Sequence, residues 1–454
     1  MPIFNNIIFQ QRSDAMNYNF SIRLFPLILL SLLTAVFAQD WPQYLGPDRN
    51  STSPQTGLLR SWPESGPEVV WTVPVGHGYG GPAVKDGKVY LLDRVPEAAD
   101  NLRCFDLFSG QELWNFQYDA PGSVMFPGSR SVPTVDGNYV YSCGHNGDLY
   151  CVDINTHKPI WNVNIWTDFG GKPLPPDGRP SREPGSFPMW AITQCPLIYG
   201  DLVIVASQTP EAGVVAFDKL TGDVKWQTPS LGLTGYVSPA LVKVDGDDHV
   251  VMVTASGGGR GRPVVPGNVA GIAPLTGDIM WEYADWQCGI PVPSAVDAGE
   301  NRVLVIGGYE LGAVMIKVEE KADGSYSTTE LFKTEEFGDQ TKPAILHNGN
   351  FYAQFGTNNT RDGLTCMNMD GEILWKTKRD PDFNKGSMIL ADGLILATDG
   401  EATLYLIEPD PSEFKPLDSA ELLEKGQNWA PIALADGKLL IRDQSQLKCV
   451  KVAQ

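Results

Sequence analysis

Short runs that alternate apolar and polar residues, broken by Asp-Gly, Asn-Gly or similar pairs, follow one another from Gly81 to the last residues of the chain. Alternation of period two predicts strands with one buried face. An Asp-Gly or Asn-Gly pair between two such runs predicts a tight hairpin, because both turn residues take positive φ. Eight hairpins of this kind occur: GPAVKDGKVYLL (81–92), VPTVDGNYVYSC (132–143), CPLIYGDLVIVA (195–206), SPALVKVDGDDHVVMV (238–253), VPSAVDAGENRVLVI (292–306), KPAILHNGNFYAQ (342–354), SMILADGLILAT (387–398) and APIALADGKLLIR (430–442).

A second signature follows the first. AFDKLTGDVKW (216–226), CFDLFSGQELW (104–114), CVDINTHKPIW (151–161), GIAPLTGDIMW (271–281) and the shorter CMNMDGEILW (366–375) each read as strand, tight turn and strand ending in Trp. Units five and seven are degenerate, leading to Phe332 and Phe414. A self-similar unit of about 40–55 residues predicts a propeller or solenoid rather than a layered domain. Each unit reads as one four-stranded blade. The eighth has a third strand, QLKCVKV (446–452), but no fourth, and EVVWTVPV (68–75) carries Trp71 at the expected place. The expected fold is all-β: an eight-bladed β-propeller closed by an N-terminal strand in the last blade, which leaves no exposed sheet edge.

The recurring indoles, Trp71, Trp114, Trp161, Trp226, Trp281 and Trp375, are expected to dock one blade against the next. Such a ring buries ~150–250 Å², about 4–6 kcal/mol gross at ~25 cal/mol/Å². A repeated position of this kind serves packing.

Composition narrows the function. Forty-seven glycines and thirty-five prolines suit many tight turns. A formal charge of −20 excludes a phosphate-binding nucleic-acid surface. Arg23 precedes the apolar run LFPLILLSLLTAVFA (24–38), which predicts a signal peptide over 1–38 with cleavage after Ala38, Met16 being an alternative start. The expected destination is periplasmic or extracellular, with no transmembrane anchor after cleavage. Cys104, Cys151, Cys366 and Cys449 occupy equivalent repeat positions in different units and are not expected to pair.

These units resemble the pyrroloquinoline quinone (PQQ)-like repeats, A-x-D-x-x-T-G-x-x-x-W. Ala216, Asp218, Thr221, Gly222 and Trp226 match every position. The resemblance covers about residues 65–453, and WPQYLGPDRN (41–50) is similar to the prelude of exported proteins of this kind. It implies a lead-in over 39–67 and a propeller over 68–454. It places the chain in the quinoprotein alcohol dehydrogenase-like superfamily, which has two branches. One holds PQQ and calcium at the ring axis and oxidises alcohols or sugars. The other, similar to the lipoprotein of the outer-membrane assembly machinery, is cofactor-free and serves as a platform. The chain lacks the adjacent Cys-Cys pair and the C-x-x-C-H haem site of the first branch, and the anchored cysteine of the second. The expected function is a non-enzymatic exported module binding protein, peptide or carbohydrate through one loop face, with no cofactor. The alternative is a divergent dehydrogenase using PQQ and calcium.

Propeller topology puts the Asp-Gly hairpins and Thr-Gly turns on one face, short except for KADGSYST (321–328). The other face collects DRVPEAADN (93–101), SQTPEAG (207–213), GGGRGRPVVPG (257–267), GTNNTRDG (356–363) and the insertion 167–191. Loops of uneven length on a regular scaffold are where binding is expected. The residues just before each first strand should ring the axial funnel: Tyr79, Arg130, Trp190, Tyr236, Lys342, Lys385 and Trp429. Three cations and four aromatics suit an anionic, planar or sugar-like ligand. Arg260 and Arg262 could also reach an anion. No catalytic set is named, no metal is expected from the five scattered histidines, and VDGDDH (244–249) reads as an acidic hairpin turn.

Overall fold

The computed structural model describes residues 39–454, apart from 182, 184, 260–261 and 357–360. The predicted signal peptide and Arg260 lie outside the described residues. Among these residues no helix is long and apolar enough to cross a membrane.

Eight four-stranded antiparallel sheets make the ring. Blade 1 runs Ala83–Lys85, Lys88–Val95, Ala99–Asp106 and Glu112–Asp119. Blades 2 to 7 repeat the order over 134–164, 197–227, 240–283, 296–334, 345–376 and 388–421. Blade 8 takes three strands from 433–451 and its outermost strand from Val69–Pro74, with Trp71 opposite Cys449. First strands of neighbouring blades touch around the axis, as Ala83–Lys85 does with Thr134–Asp136 and Ala433–Ala435.

Docking is as the repeated Trp predicts. The indole N–H groups of Trp71, Trp161, Trp226 and Trp375 donate to turn carbonyls of the following blade, at Leu107 (2.8 Å), Lys219 (3.1 Å), Pro274 (3.0 Å) and Asp410 (2.9 Å). The turn glycine makes room: at Gly222 (φ 76°) a Cβ would stand 2.8 Å from the Trp161 ring. In blade 2 His157 takes the equivalent place at φ 59° and stacks flat on Trp114, centroids 5.0 Å apart. Trp281 departs from the pattern. Blade 5 extends as a long hairpin where a turn carbonyl would stand, and the Trp281 N–H donates to His249 Nδ1 of its own blade at 2.9 Å.

Phe332 pairs across from Met315 at the Trp position of blade 5. Phe414 does not hold that position in blade 7. The turn there is longer, so Asp418, opposite Leu406, stands where Trp stands elsewhere. Its carboxylate accepts the backbone N–H of Trp62 at 2.7 Å, and the lead-in indole joins the buried cluster of blades 7, 8 and 1. Phe414 instead packs against Trp375 at 6.0 Å.

Several expected loops are strand. In blade 1 only 96–98 lies outside the two strands that span 93–101, and Arg94 and Asp100 are direct cross-strand partners. Their ion pair, 2.6 Å and sealed from water, replaces the apolar alternation that signals a strand. Gly257–Gly259 and Arg262–Val265 form a separate hairpin. The turn in blade 5 shortens to 321–325, since Tyr326–Thr334 is strand, and Arg361–Asn368 takes the end of 356–363. The insertion 167–191 is pinned: Trp166, Phe169 and Phe187 are buried, and the Trp166 N–H donates to Lys172 O at 2.7 Å.

The lead-in closes one end of the axis. Trp41 pairs with Val84 of blade 1, Pro42 O accepts the Val135 N–H of blade 2 (2.8 Å), and Thr52–Ser53 adds a parallel strand to blade 7. Gln55 donates to Leu434 O of blade 8 at 2.9 Å. The Arg49 guanidinium donates to Cys195 O (3.2 Å), Pro196 O (3.1 Å) and Pro239 O (3.1 Å), tying in blades 3 and 4. All seven cysteines are buried and free.

Candidate functional site

Opposite this floor, on the loop face, the axis opens into a cavity of about 570 Å³ to which all eight blades contribute. That volume lies within the ~300–1,000 Å³ typical of ligand sites. Tyr79, Arg130, Trp190, Tyr236, Lys342, Lys385 and Trp429 all line it, so the seven residues chosen from their place before the first strands come together in one site. Tyr44 of the lead-in closes the bottom, its phenol pKa raised by burial, with the Arg49 guanidinium 5.8 Å from its ring centroid.

The aromatics form two groups. Tyr79 of blade 1 stacks on Trp429 of blade 8, centroids 5.3 Å apart at 28°, with Phe126 5.8 Å from the same indole. Trp190 and Tyr236, on blades 3 and 4, lie tilted at 5.2 Å. Blades 8, 1 and 2 can close up here because the 76–81 segment has glycines at the tight points. A Cβ on Gly80 or Gly81 would stand 2.2 Å from Ser131 O or 2.1 Å from Pro431 O. The sequence shows that glycine cluster without its purpose, which is close backbone approach.

The three cations are not equivalent. Arg130 spends its guanidinium on its own loop, donating to Gly128 O (2.8 Å), Met125 O (3.2 Å) and Phe126 O, while its face lies 5.4 Å from the Tyr79 centroid. Burial pushes its pKa down to about 10. Lys342 donates to Trp429 O at 2.7 Å, and burial lowers its pKa to about 8 against the opposing pull of Asp339. Asp339, buried behind it, accepts the N–H groups of Thr341 (2.7 Å), Lys342 (3.0 Å) and Gln354 (3.3 Å). Burial still raises its pKa to about 6. Lys385 sits at φ 63°, its ammonium 4.7 Å from the Trp429 centroid. Its pKa is lowered by burial, and among the described residues its Nζ has no hydrogen-bond partner or counter-ion.

Sequence reasoning missed Tyr44, because the lead-in has no repeat to place it, and Phe126, Tyr309, Gln340, Asn384, Glu401 and Gln427, which also line the cavity. Glu401 and Tyr309 come from loops between second and third strands, where spacing from the hairpin gives no cue. Two buried polar atoms on wall residues, Trp190 Nε1 and Asn384 Oδ1, have no partner. Among the described residues the only wall carboxylate is Glu401, and no group of three His, Cys, Asp or Glu converges as metal ligands would.

A ring of eight sheets, six of them carrying the repeated indole, with one end sealed and the other an aromatic funnel, defines a propeller with an axial cavity. The sequence profile of the family described as "Outer membrane protein assembly factor BamB" matches residues 98–353, and the chain belongs to that family of PQQ-like propellers. No curated protein matches it. Among solved structures, BamB from Moraxella catarrhalis is similar at 14% identity and TM-score 0.54, over 85% of this chain and 99% of that one. A europium-containing methanol dehydrogenase is similar at 14% identity and TM-score 0.60, over 91% and 89%. The quinohemoprotein alcohol dehydrogenase of Comamonas testosteroni is similar at 13% and 0.60, over 92% and 81%. Identities this low establish shared fold alone.

Proposed function

We propose that the chain is an exported, non-catalytic binding module that holds its ligand or partner in the loop-face cavity. The blind funnel carries this reading, with walls from every blade and a floor from the lead-in. Several groups that could transfer protons or attack a substrate are committed to structure. Asp339 is held by backbone N–H groups, Lys342 by a carbonyl, and the Cys195 thiol accepts the Val132 N–H with its pKa raised by burial. The family description, an outer membrane protein assembly factor, agrees with a binding role in the periplasm.

The second reading, a quinoprotein dehydrogenase, is favoured by the stacked Tyr79–Trp429 pair beside Lys385, which suits a planar anion. Calcium, which accompanies PQQ in that branch, takes six to eight oxygen ligands from carboxylates, amide carbonyls and water; among the described wall residues Glu401 is the single carboxylate, with Asn384, Gln340 and Gln427 as amides. The deciding assay supplies purified protein with PQQ, calcium and an artificial electron acceptor. No turnover of alcohols or sugars is expected, and measurable turnover would overturn the non-catalytic reading.

A further inference from the structure

We infer that the cavity binds a singly charged, polyhydroxylated ring: a carboxylated or sulfated sugar unit. The inference rests on the reading that the cavity is the binding site, and it follows from counting what the walls have left to offer. Three cations, Arg130, Lys342 and Lys385, face two carboxylates, Asp339 behind the wall and Glu401 on it, which leaves one positive charge. That residual charge has a definite place. Arg130 is engaged by three carbonyls and Lys342 by Trp429 O, with Asp339 behind it, whereas among the described residues Lys385 Nζ makes no hydrogen bond or ion pair and feels Asp339 only at longer range. A tricarboxylate would put two or more negative charges where no cation is left for them, and an unpaired charge in a desolvated site is strongly disfavoured. A neutral sugar would leave the Lys385 ammonium as it is. A monoanion satisfies it with a charge-assisted hydrogen bond.

The rest of the wall asks for a ring bearing hydroxyls. The wall is rich in aromatic rings, Tyr79, Trp429, Trp190 and Tyr236, which give it an apolar surface beside Lys385. Around it stand Glu401, an acceptor, and the amide of Gln340, able to give and to receive. A hydroxyl suits both, being donor and acceptor at once, and an extended peptide offers few such groups.

Tryptophan emission of the full purified protein, with Trp190 and Trp429 in the wall, reads the site directly. The probes are glucuronate, glucose 6-sulfate, glucose, PQQ and an acidic hexapeptide. Glucuronate or glucose 6-sulfate should give a saturable change at about tenfold lower concentration than glucose, and the stronger of the two identifies the charged group. Lys385→Met should bring the anionic sugar down to the affinity of glucose, and Lys385→Arg should keep the preference, with unchanged melting midpoints showing that both variants fold. Glucose binding as tightly as glucuronate overturns the charge assignment, using the wild-type protein alone. Binding of the peptide but of no sugar overturns the ligand class and leaves the module reading standing. Binding of PQQ with turnover in the dehydrogenase assay removes both, and silence from every probe overturns the inference.

Discussion

The two ends of the propeller axis are built from opposite kinds of sequence. On the hairpin end one segment of about fifteen residues, outside the repeat, reaches first strands or their approaches in blades 1, 2, 3, 4, 7 and 8 and fills the axis with buried contacts. On the loop end every blade gives a residue or two, and these stop short of meeting. At the floor nearly every polar group is answered. Arg49 meets three carbonyls, Gln55 accepts the Gly437 N–H at 2.7 Å and donates to Leu434 O, and Asp40 takes the Lys85 ammonium at 2.7 Å. At the funnel the Lys385 ammonium is left without a hydrogen bond or ion pair among the described residues. Complete pairing belongs to structure, and unmet capacity on a rigid ring belongs to binding. Stability should therefore respond to substitutions at the floor and ligand affinity to those in the funnel.

The largest effect should come from Trp41→Ala. Trp41 is 2% exposed and lies against Gly46, so its loss leaves a cavity costing about 3–5 kcal/mol in denaturant unfolding. A cost near zero would mean that the floor is not part of the cooperative unit. Arg49→Met keeps much of the side-chain length but leaves the Cys195 and Pro239 carbonyls without a donor, Pro196 O keeping the Thr134 hydroxyl, and about 2–3 kcal/mol should be lost.

An intermediate effect comes from the one buried pair behind the funnel wall, and it is read through pH. Burial lowers the Lys342 pKa to about 8 from the ordinary 10.5, so the unfolded chain binds that proton more tightly and stability falls as pH drops from 10.5 towards 8. Asp339 titrates at about 6 against 3.8, so the folded chain holds that proton more tightly and stability falls as pH rises from 3.8 towards 6. Both contributions are at their lowest between about 6 and 8, where the pair is fully charged. The double variant Asp339→Asn with Lys342→Met should flatten that trough in denaturation curves taken from pH 4 to 10. A difference curve without pH dependence would show the pair to be better solvated than its burial implies. The smallest stability change should be that of Lys385→Met, within about 0.5 kcal/mol of wild type, although the same substitution removes the one unanswered charge of the funnel. A large destabilisation would make Lys385 a structural residue and erase the contrast between the two ends.

The same contrast marks what could be read from the chain. Blade number, closure through Trp71 and Cys449, and the seven funnel residues all follow from repetition, because a repeat fixes by register where the residue before each first strand will lie. Wherever the repeat lapses, legibility lapses too. Trp62 substitutes for an absent blade-7 indole from over three hundred residues away, and nothing around Asp418 announces it. Arg94 and Asp100 look like loop residues until their cross-strand pairing is seen. Tyr44 and Arg49 sit in a segment whose positive-φ residues, Leu45, Arg49 and Ser51, defy any periodic pattern. Asp339 lies a few residues before its strand, and only depth in the folded wall separates it from the other acidic residues of an acidic protein.

One consequence of the shared eighth sheet concerns the order of assembly. Val69 faces Val450, so the sheet joins segments separated by nearly the whole polypeptide. Seven sheets can form from neighbouring sequence as it becomes available, while the eighth must wait for the final strand and then bring the two distant segments together. Because contacts between remote segments slow folding, ring closure should be the late, rate-determining event. Until it occurs, blade 1 would present a bare apolar face, and the incomplete sheet and the waiting Val69–Pro74 strand raw edges, to any chain of similar pattern.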